Sequence, residues 1–131
     1  MSNLKSIHHA AIICSDYEKS KDFYVSKLGC KIVAETFREA RKSYKLDLQI
    51  GEGGGQIELF SFENPPKRAS WPEACGLRHL AFVTNNIEKS VAELNAKGIE
   101  TEPIRLDEIT GKRFVFFDDP DNLPLELYEL E

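Results

Sequence analysis

Hydrophobic positions along this chain change period in a fixed order, and the order then repeats. Ile7 to Cys14, reading Ile-His-His-Ala-Ala-Ile-Ile-Cys, is a short apolar run rich in β-branched residues, which predicts a largely buried strand. From Ser15 the spacing turns helical: Tyr17, Lys21, Tyr24 and Leu28, with Phe23, recur three or four residues apart up to Gly29, a natural stop. Ser15-Asp-Tyr-Glu18 has the spacing of a capping box, so Ser15 is the expected helix cap. The second half repeats this grammar with a strand from Leu77 to Thr84, cap Asn85 with Glu88 three residues on, apolar Ile87, Val91 and Leu94, and stop Gly98.

Further strands are expected after each helix. They are Lys31 to Phe37, Ser43 to Ile50 and Gln56 to Phe62 in the first half, then Glu100 to Leu106, Arg113 to Asp118 and Leu123 to Leu130 in the second. Each half therefore reads βαβββ, and the fold class is α+β: two tandem βαβββ modules forming a curved mixed sheet with a concave face. Module one spans about 5–62, a connection rich in proline (Pro65, Pro66, Pro72) about 63–75, and module two about 76–131. Half the chain is too small to bury its own sheet well, so residues 1–131 are read as one domain. Gly51-Glu-Gly-Gly-Gly55 lacks a following Lys-Ser/Thr and helix, which makes it a hairpin turn and not a phosphate loop.

The duplication also carries chemistry. His9 and His79 open the two copies, and Glu58 and Glu126 lie near their ends, 49 and 47 positions beyond the respective histidines. Alternation places Ala10, Ile12 and Cys14 with Leu80, Phe82 and Thr84 on the helix-facing side, and His9 and His79 on the other. Ile57, Leu59, Leu125 and Leu127 likewise send Glu58 and Glu126 to that second face. Solvation alone predicts no correlation between copies, whereas a shared metal site requires one. His8 is the rival of His9, but Arg78 stands in its place in the second copy, so His8 is expected in the helix-facing layer or at a module interface. Two imidazoles and two carboxylates suit one divalent ion per site, Zn, Ni, Co, Mn or Fe, and not copper(I) or an iron–sulfur cluster. Such an ion can polarise a substrate oxygen and stabilise an enediolate, with one carboxylate serving as base.

Composition narrows the partners. The 131 residues carry 22 acids against 17 bases, a net charge of -5, which provides no cationic field for nucleic acid or an anionic membrane. No apolar run approaches the length of a membrane span and no signal-peptide pattern is seen, so the expected location is cytoplasmic. Cys14, Cys30 and Cys75 lack CxxC spacing and read as small hydrophobes, with Cys75, in a loop, the one of interest. Arg38, Arg41 and Arg113, near strand ends, are the expected contacts for an anionic small-molecule substrate. Trp71 reads as part of a lid, a dimer contact or a packed loop.

His9 followed by Asp22-Phe-Tyr24 and Leu28-Gly29, then Gly76-Leu-Arg-His79-Leu-Ala-Phe-Val, then Phe116-Phe-Asp-Asp-Pro-Asp121 leading to Leu125-Glu126-Leu, resembles the vicinal oxygen chelate superfamily over nearly the whole chain, most closely its small bacterial glyoxalase I-like proteins. The resemblance implies that His9, Glu58, His79 and Glu126 are the metal ligands, Glu126 the catalytic base and Glu58 its symmetric counterpart. It further implies isomerisation of the hemithioacetal of methylglyoxal and a thiol such as glutathione, in a homodimer whose bacterial forms often prefer nickel or cobalt. The segment Phe60-Ser-Phe62 and the prolines after it show no match to a glutathione-binding set, which leaves the thiol open. Relatives provide alternatives. An Fe(II) extradiol-type dioxygenase would use His9, His79 and Glu126, with Glu58 crowding its open positions, and an epimerase of the methylmalonyl-CoA type has Gln where this chain has Glu58. Antibiotic-binding resistance proteins of the superfamily usually lack the metal set.

Overall fold

The computed structural model describes residues 3–130, which divide into two units between Lys67 and Arg68. In the first unit, β1 (His9–Cys14) buries Ile12 and Cys14 and exposes Ala11 and Ile13, the alternation expected of a strand with one covered face. It pairs in parallel with β4 (Gln56–Ser61). β3 (Ser43–Gln49) lies antiparallel between β4 and β2 (Lys31–Arg38), giving the order β1-β4-β3-β2. Leu46, Leu48, Ile57, Leu59 and Tyr24 are fully buried and make the core of this unit.

Helix α1 (Tyr17–Lys21) begins one residue later than expected: Asp16, not Ser15, is the cap, its carboxylate accepting from the Lys19 N–H at 3.2 Å. The helix continues as a π-helical segment, Asp22–Lys27, which buries Phe23 and Tyr24 together. Gly29 closes it with φ +80°, a conformation open to glycine without a Cβ penalty. The glycine-rich stretch is the expected hairpin turn, closed by hydrogen bonds from Gly54 N–H to the Ile50 carbonyl and from Ile50 N–H to that of Gly55.

The second unit has β5 (Leu80–Thr84), α2 (Ile87–Ala96), β6 (Arg105–Leu106), β7 (Arg113–Asp118) and β8 (Pro124–Glu129), in the order β5-β8-β7-β6. Both units thus hold a four-stranded mixed sheet in the same relative order, an α+β fold built of two βαβββ repeats. Asn86 caps α2 by accepting from Lys89 N–H at 3.0 Å, again one residue beyond the expected Asn85. Ile87 of this helix and Val115 and Leu125 of the sheet are fully buried.

Strands β1, β5 and β6 begin two or more residues later than the expected runs. β1 omits Ile7, which is exposed, and β5 omits Leu77, whose carbonyl instead accepts from the Arg68 guanidinium at 2.6 Å. The stretch 100–106 forms only the two-residue β6. Pro103 has no N–H to give a ladder, leaving the Glu102 N–H to Phe116 carbonyl bond isolated from it. No helix among the described residues is long and apolar enough to cross a membrane.

Candidate metal centre

Strand register sets the two His–Glu pairs. In the first unit His9 opens β1, and Glu58 on β4 stands opposite Ala11, two residues further on. In the second, His79 immediately precedes β5, and Glu126 on β8 stands opposite Ala81, again two residues beyond the histidine. The difference between 49 and 47 residues in the sequence is therefore absorbed in the connections, and the pairs are equivalent. His9 Nε2 lies 3.5 Å from Glu58 Oε2, and His79 Nε2 lies 3.5 Å from Glu126 Oε1.

That separation is long for a hydrogen bond. It suits two donors on one cation: atoms each ~2.1 Å from an ion are ~3.0 Å apart at a right angle and ~3.4 Å apart at the tetrahedral angle. The Glu58 and Glu126 side chains are 14% and 13% exposed, too sheltered for carboxylates that merely face solvent. Each unit supplies a pair; among the described residues no group of three or more His, Cys, Asp and Glu is drawn together.

The surroundings of the pairs differ. On β3, Asp47 stands opposite Glu58, and Lys45 Nζ bridges them, 2.7 Å from Asp47 and 3.8 Å from Glu58. The hydrogen bond from Lys45 to Asp47 holds its ammonium above the usual lysine range. The residue opposite Glu126 is Phe116, and Phe114 takes the place of Lys45. His79 meets Phe116 edge-on with ring centres 5.0 Å apart, and the Arg105 guanidinium lies over Phe114 and Phe116 at 5.0 and 5.4 Å. One pair is thus charge-compensated and the other walled by aromatic rings.

His8 does not enter a helix-facing layer. It is exposed, and its Nδ1 is 2.9 Å from Nδ1 of His9. The side chains of β1 that reach the helix-facing layer are those of Ile12 and Cys14, leaving His8 to fold back on its neighbour. His79 has no such neighbour: its Nδ1 is buried and without a hydrogen-bond partner among the described residues. Arg78, at the place of His8, pairs with Glu73 at 2.7 Å.

Of the three arginines expected to meet substrate, Arg113 is placed elsewhere. It shares the parity of buried Val115 and Phe117 on β7, so its guanidinium turns to the helix side, 2.9 Å from Glu129 and 2.5 Å from Glu88. These bonds raise its pKa further and leave it a structural clamp on α2. Arg38 donates to Ser43 Oγ at 2.9 Å and lies over Phe60 and Phe62 at 4.9 and 5.6 Å, and Arg41 lies 5.6 Å from Phe62. Both stay with the first unit's sheet, Arg38 half-buried and Arg41 exposed. In the second unit Trp71, Arg78, His79, Arg105, Phe114 and Phe116 help to line a pocket of about 680 Å³. Its mixed aromatic and guanidinium lining suits a small molecule with both apolar and polar parts.

Lys45 and Phe116 were not among the expected site residues, and His8, weighed as the rival of His9, was expected in another layer. The signal for the first two was present, since the third strand packs beside the fourth in each βαβββ unit: parity puts Lys45 with Asp47 on the face of Glu58, and Phe116 opposite Glu126. The comparison between copies hid it, because the copies differ there.

Known proteins share this architecture. The chain is 68% identical to the uncharacterized protein YwkD of Bacillus subtilis (strain 168), over 96% of this chain and 98% of that one. The crystal structure of a glyoxalase family protein from Enterococcus faecalis, 51% identical, superposes with a TM-score of 0.88 over 95% of this chain and 98% of that one. More distantly, the lactoylglutathione lyase of Schizosaccharomyces pombe (strain 972 / ATCC 24843) is 28% identical over 97% of this chain and 48% of its own length. The family model described as Glyoxalase/Bleomycin resistance protein/Dioxygenase superfamily matches residues 6–127, and the chain belongs to that superfamily.

Proposed function

We propose that the protein is a metal-dependent isomerase of the glyoxalase I type, with His9, Glu58, His79 and Glu126 holding one divalent ion, nickel, cobalt or zinc. The observation that carries this reading is the equivalence of the two pairs, with the same register and the same 3.5 Å separation in both units. Bound, the ion supplies Lewis-acid stabilisation of negative charge on substrate oxygens. The substrate is the hemithioacetal of methylglyoxal with a small thiol such as glutathione, and the distant lactoylglutathione lyase supports that choice.

Glu126 takes the proton from the carbon bearing the sulfur and returns it to the neighbouring carbon, while the hydroxyl proton of the first carbon passes to the oxygen of the second, so the product is a 2-hydroxy thioester with no net oxidation. The choice of Glu126 over Glu58 is supported by Lys45: withdrawing Glu58 toward substrate would strip the lysine of a carboxylate, and among the described residues Glu126 has no such tie. Arg38 and Arg41 are proposed to receive an anionic substrate group in the first unit. A cytoplasmic homodimer is part of the same reading.

The test is metal analysis of the purified protein, then turnover of methylglyoxal plus glutathione with Ni, Co, Zn and Fe(II) supplied separately. Thioester formation with Ni or Co and no oxygen use is expected. Oxygen consumption with a catechol and Fe(II) would replace this reading with an extradiol dioxygenase. Ligand binding without metal or turnover would replace it with a sequestering, resistance-type protein.

A further inference from the structure

His9 presents Nε2 to Glu58, at 3.5 Å, and Nδ1 to His8, at 2.9 Å. An imidazole that ligates a metal through one nitrogen carries its proton on the other, and an acceptor for that proton fixes both tautomer and ring angle. We propose that His8 is the positioning residue for His9, accepting the His9 Nδ1–H on its own Nδ1 and so keeping the lone pair of His9 Nε2 turned toward Glu58. This rests on the reading of His9 as a metal ligand.

Two Nδ1 atoms 2.9 Å apart require one to carry the hydrogen and the other a lone pair. With the hydrogen on His8, His9 is the Nε2–H tautomer and has no lone pair facing Glu58. With the hydrogen on His9, the lone pair faces Glu58 and His8 carries its own proton on Nε2. The two arrangements have the same net charge, so His8 serves His9 as donor before ligation and as acceptor during it. The second unit has nothing equivalent among the described residues, since His79 Nδ1 is unpartnered and Arg78 is paired with Glu73. The two imidazoles of the proposed centre are therefore unequally held, with the first unit supplying the better-oriented one.

The experiment compares nickel and cobalt affinity of the full chain, by competition with a chromophoric chelator, in wild type, His8→Leu and His8→Asn. Leucine keeps bulk and removes the acceptor; asparagine keeps a rotatable amide atom near the Nδ1 position. His8→Leu is expected to weaken binding by roughly 10- to 100-fold and to alter the visible absorption of the cobalt form, while His8→Asn stays near wild type. His8 is exposed, so thermal midpoints of the metal-free proteins should agree and separate a binding effect from misfolding. Equal affinity in wild type and His8→Leu overturns the role of His8 and leaves the metal reading intact. Equal loss in both variants also overturns it, because the effect would not then run through an Nδ1-like partner. No nickel or cobalt bound by wild type overturns the metal reading itself, and the His8 proposal with it.

Discussion

Glu58 and Glu126 hold equivalent registers, yet among the described residues Lys45 stands beside the first at 3.8 Å and Phe116 faces the second. Their substitutions should therefore separate. In the nickel-loaded protein, Glu126→Gln should lower kcat by ~10²–10⁴-fold, the range for loss of a general base, and Glu58→Gln should lower it less. Steady-state kinetics at saturating metal checks this, and equal losses would overturn the assignment of the base to Glu126 alone. The cysteines part in a similar way. Burial pushes the Cys30 thiol up to about 11, whereas Cys75 is exposed, so iodoacetamide at pH 8 should label Cys75 and spare Cys30 by mass spectrometry of the native protein. The four proposed ligands were legible because duplication and parity singled out the same positions twice. Lys45 was not, because the second copy has Phe114 in its place, and His8 was set aside as a ligand because Arg78 stands in its own. Arg113 was expected beside substrate from its nearness to a strand end, and its parity with Val115 is what turns it toward Glu88 and Glu129.

At the scale of elements, the strands and helices were readable from period, and their ends were not. Ser15 and Asp16, like Asn85 and Asn86, are adjacent residues with capping chemistry, so spacing alone could not choose between them; the side chains that accept from Lys19 and Lys89 belong to the later residue in each case. Asp16→Ala and Asn86→Ala should each cost about 1 kcal/mol in urea unfolding. Helix α2 has a second anchor. The buried Glu129 carboxylate is held below the usual carboxylate range by the Arg113 guanidinium first and the Ile87 N–H second. A depressed pKa adds stability above the unfolded-state value, about 4.3 for Glu, and that stability is lost as pH falls through the folded value. Glu129→Gln should therefore lower the thermal midpoint at pH 7, with the gap to wild type narrowing below about pH 4. A gap independent of pH would remove the ionised carboxylate from the explanation.

For the molecule as a whole, duplication makes a stoichiometric argument available. A His–Glu pair alone is a sparse ligand set, with half the donors of a closed four-coordinate site. If the pairs from the two units serve one ion, wild type should bind one nickel per chain, and both His9→Ala and His79→Ala should lose tight binding altogether. If each pair worked alone, wild type would bind two, and each variant would keep one. Calorimetric titration of the three proteins decides between these outcomes, and the midpoint of unfolding offers an independent reading. Metal held only by the folded chain stabilises it by about 2.7 kcal/mol at a hundredfold excess over Kd, so nickel should raise the midpoint of wild type and leave both single-histidine variants unmoved. A partial rise in either variant would mean that one unit retains a functioning site of its own, and the proposal of a single shared ion would fall.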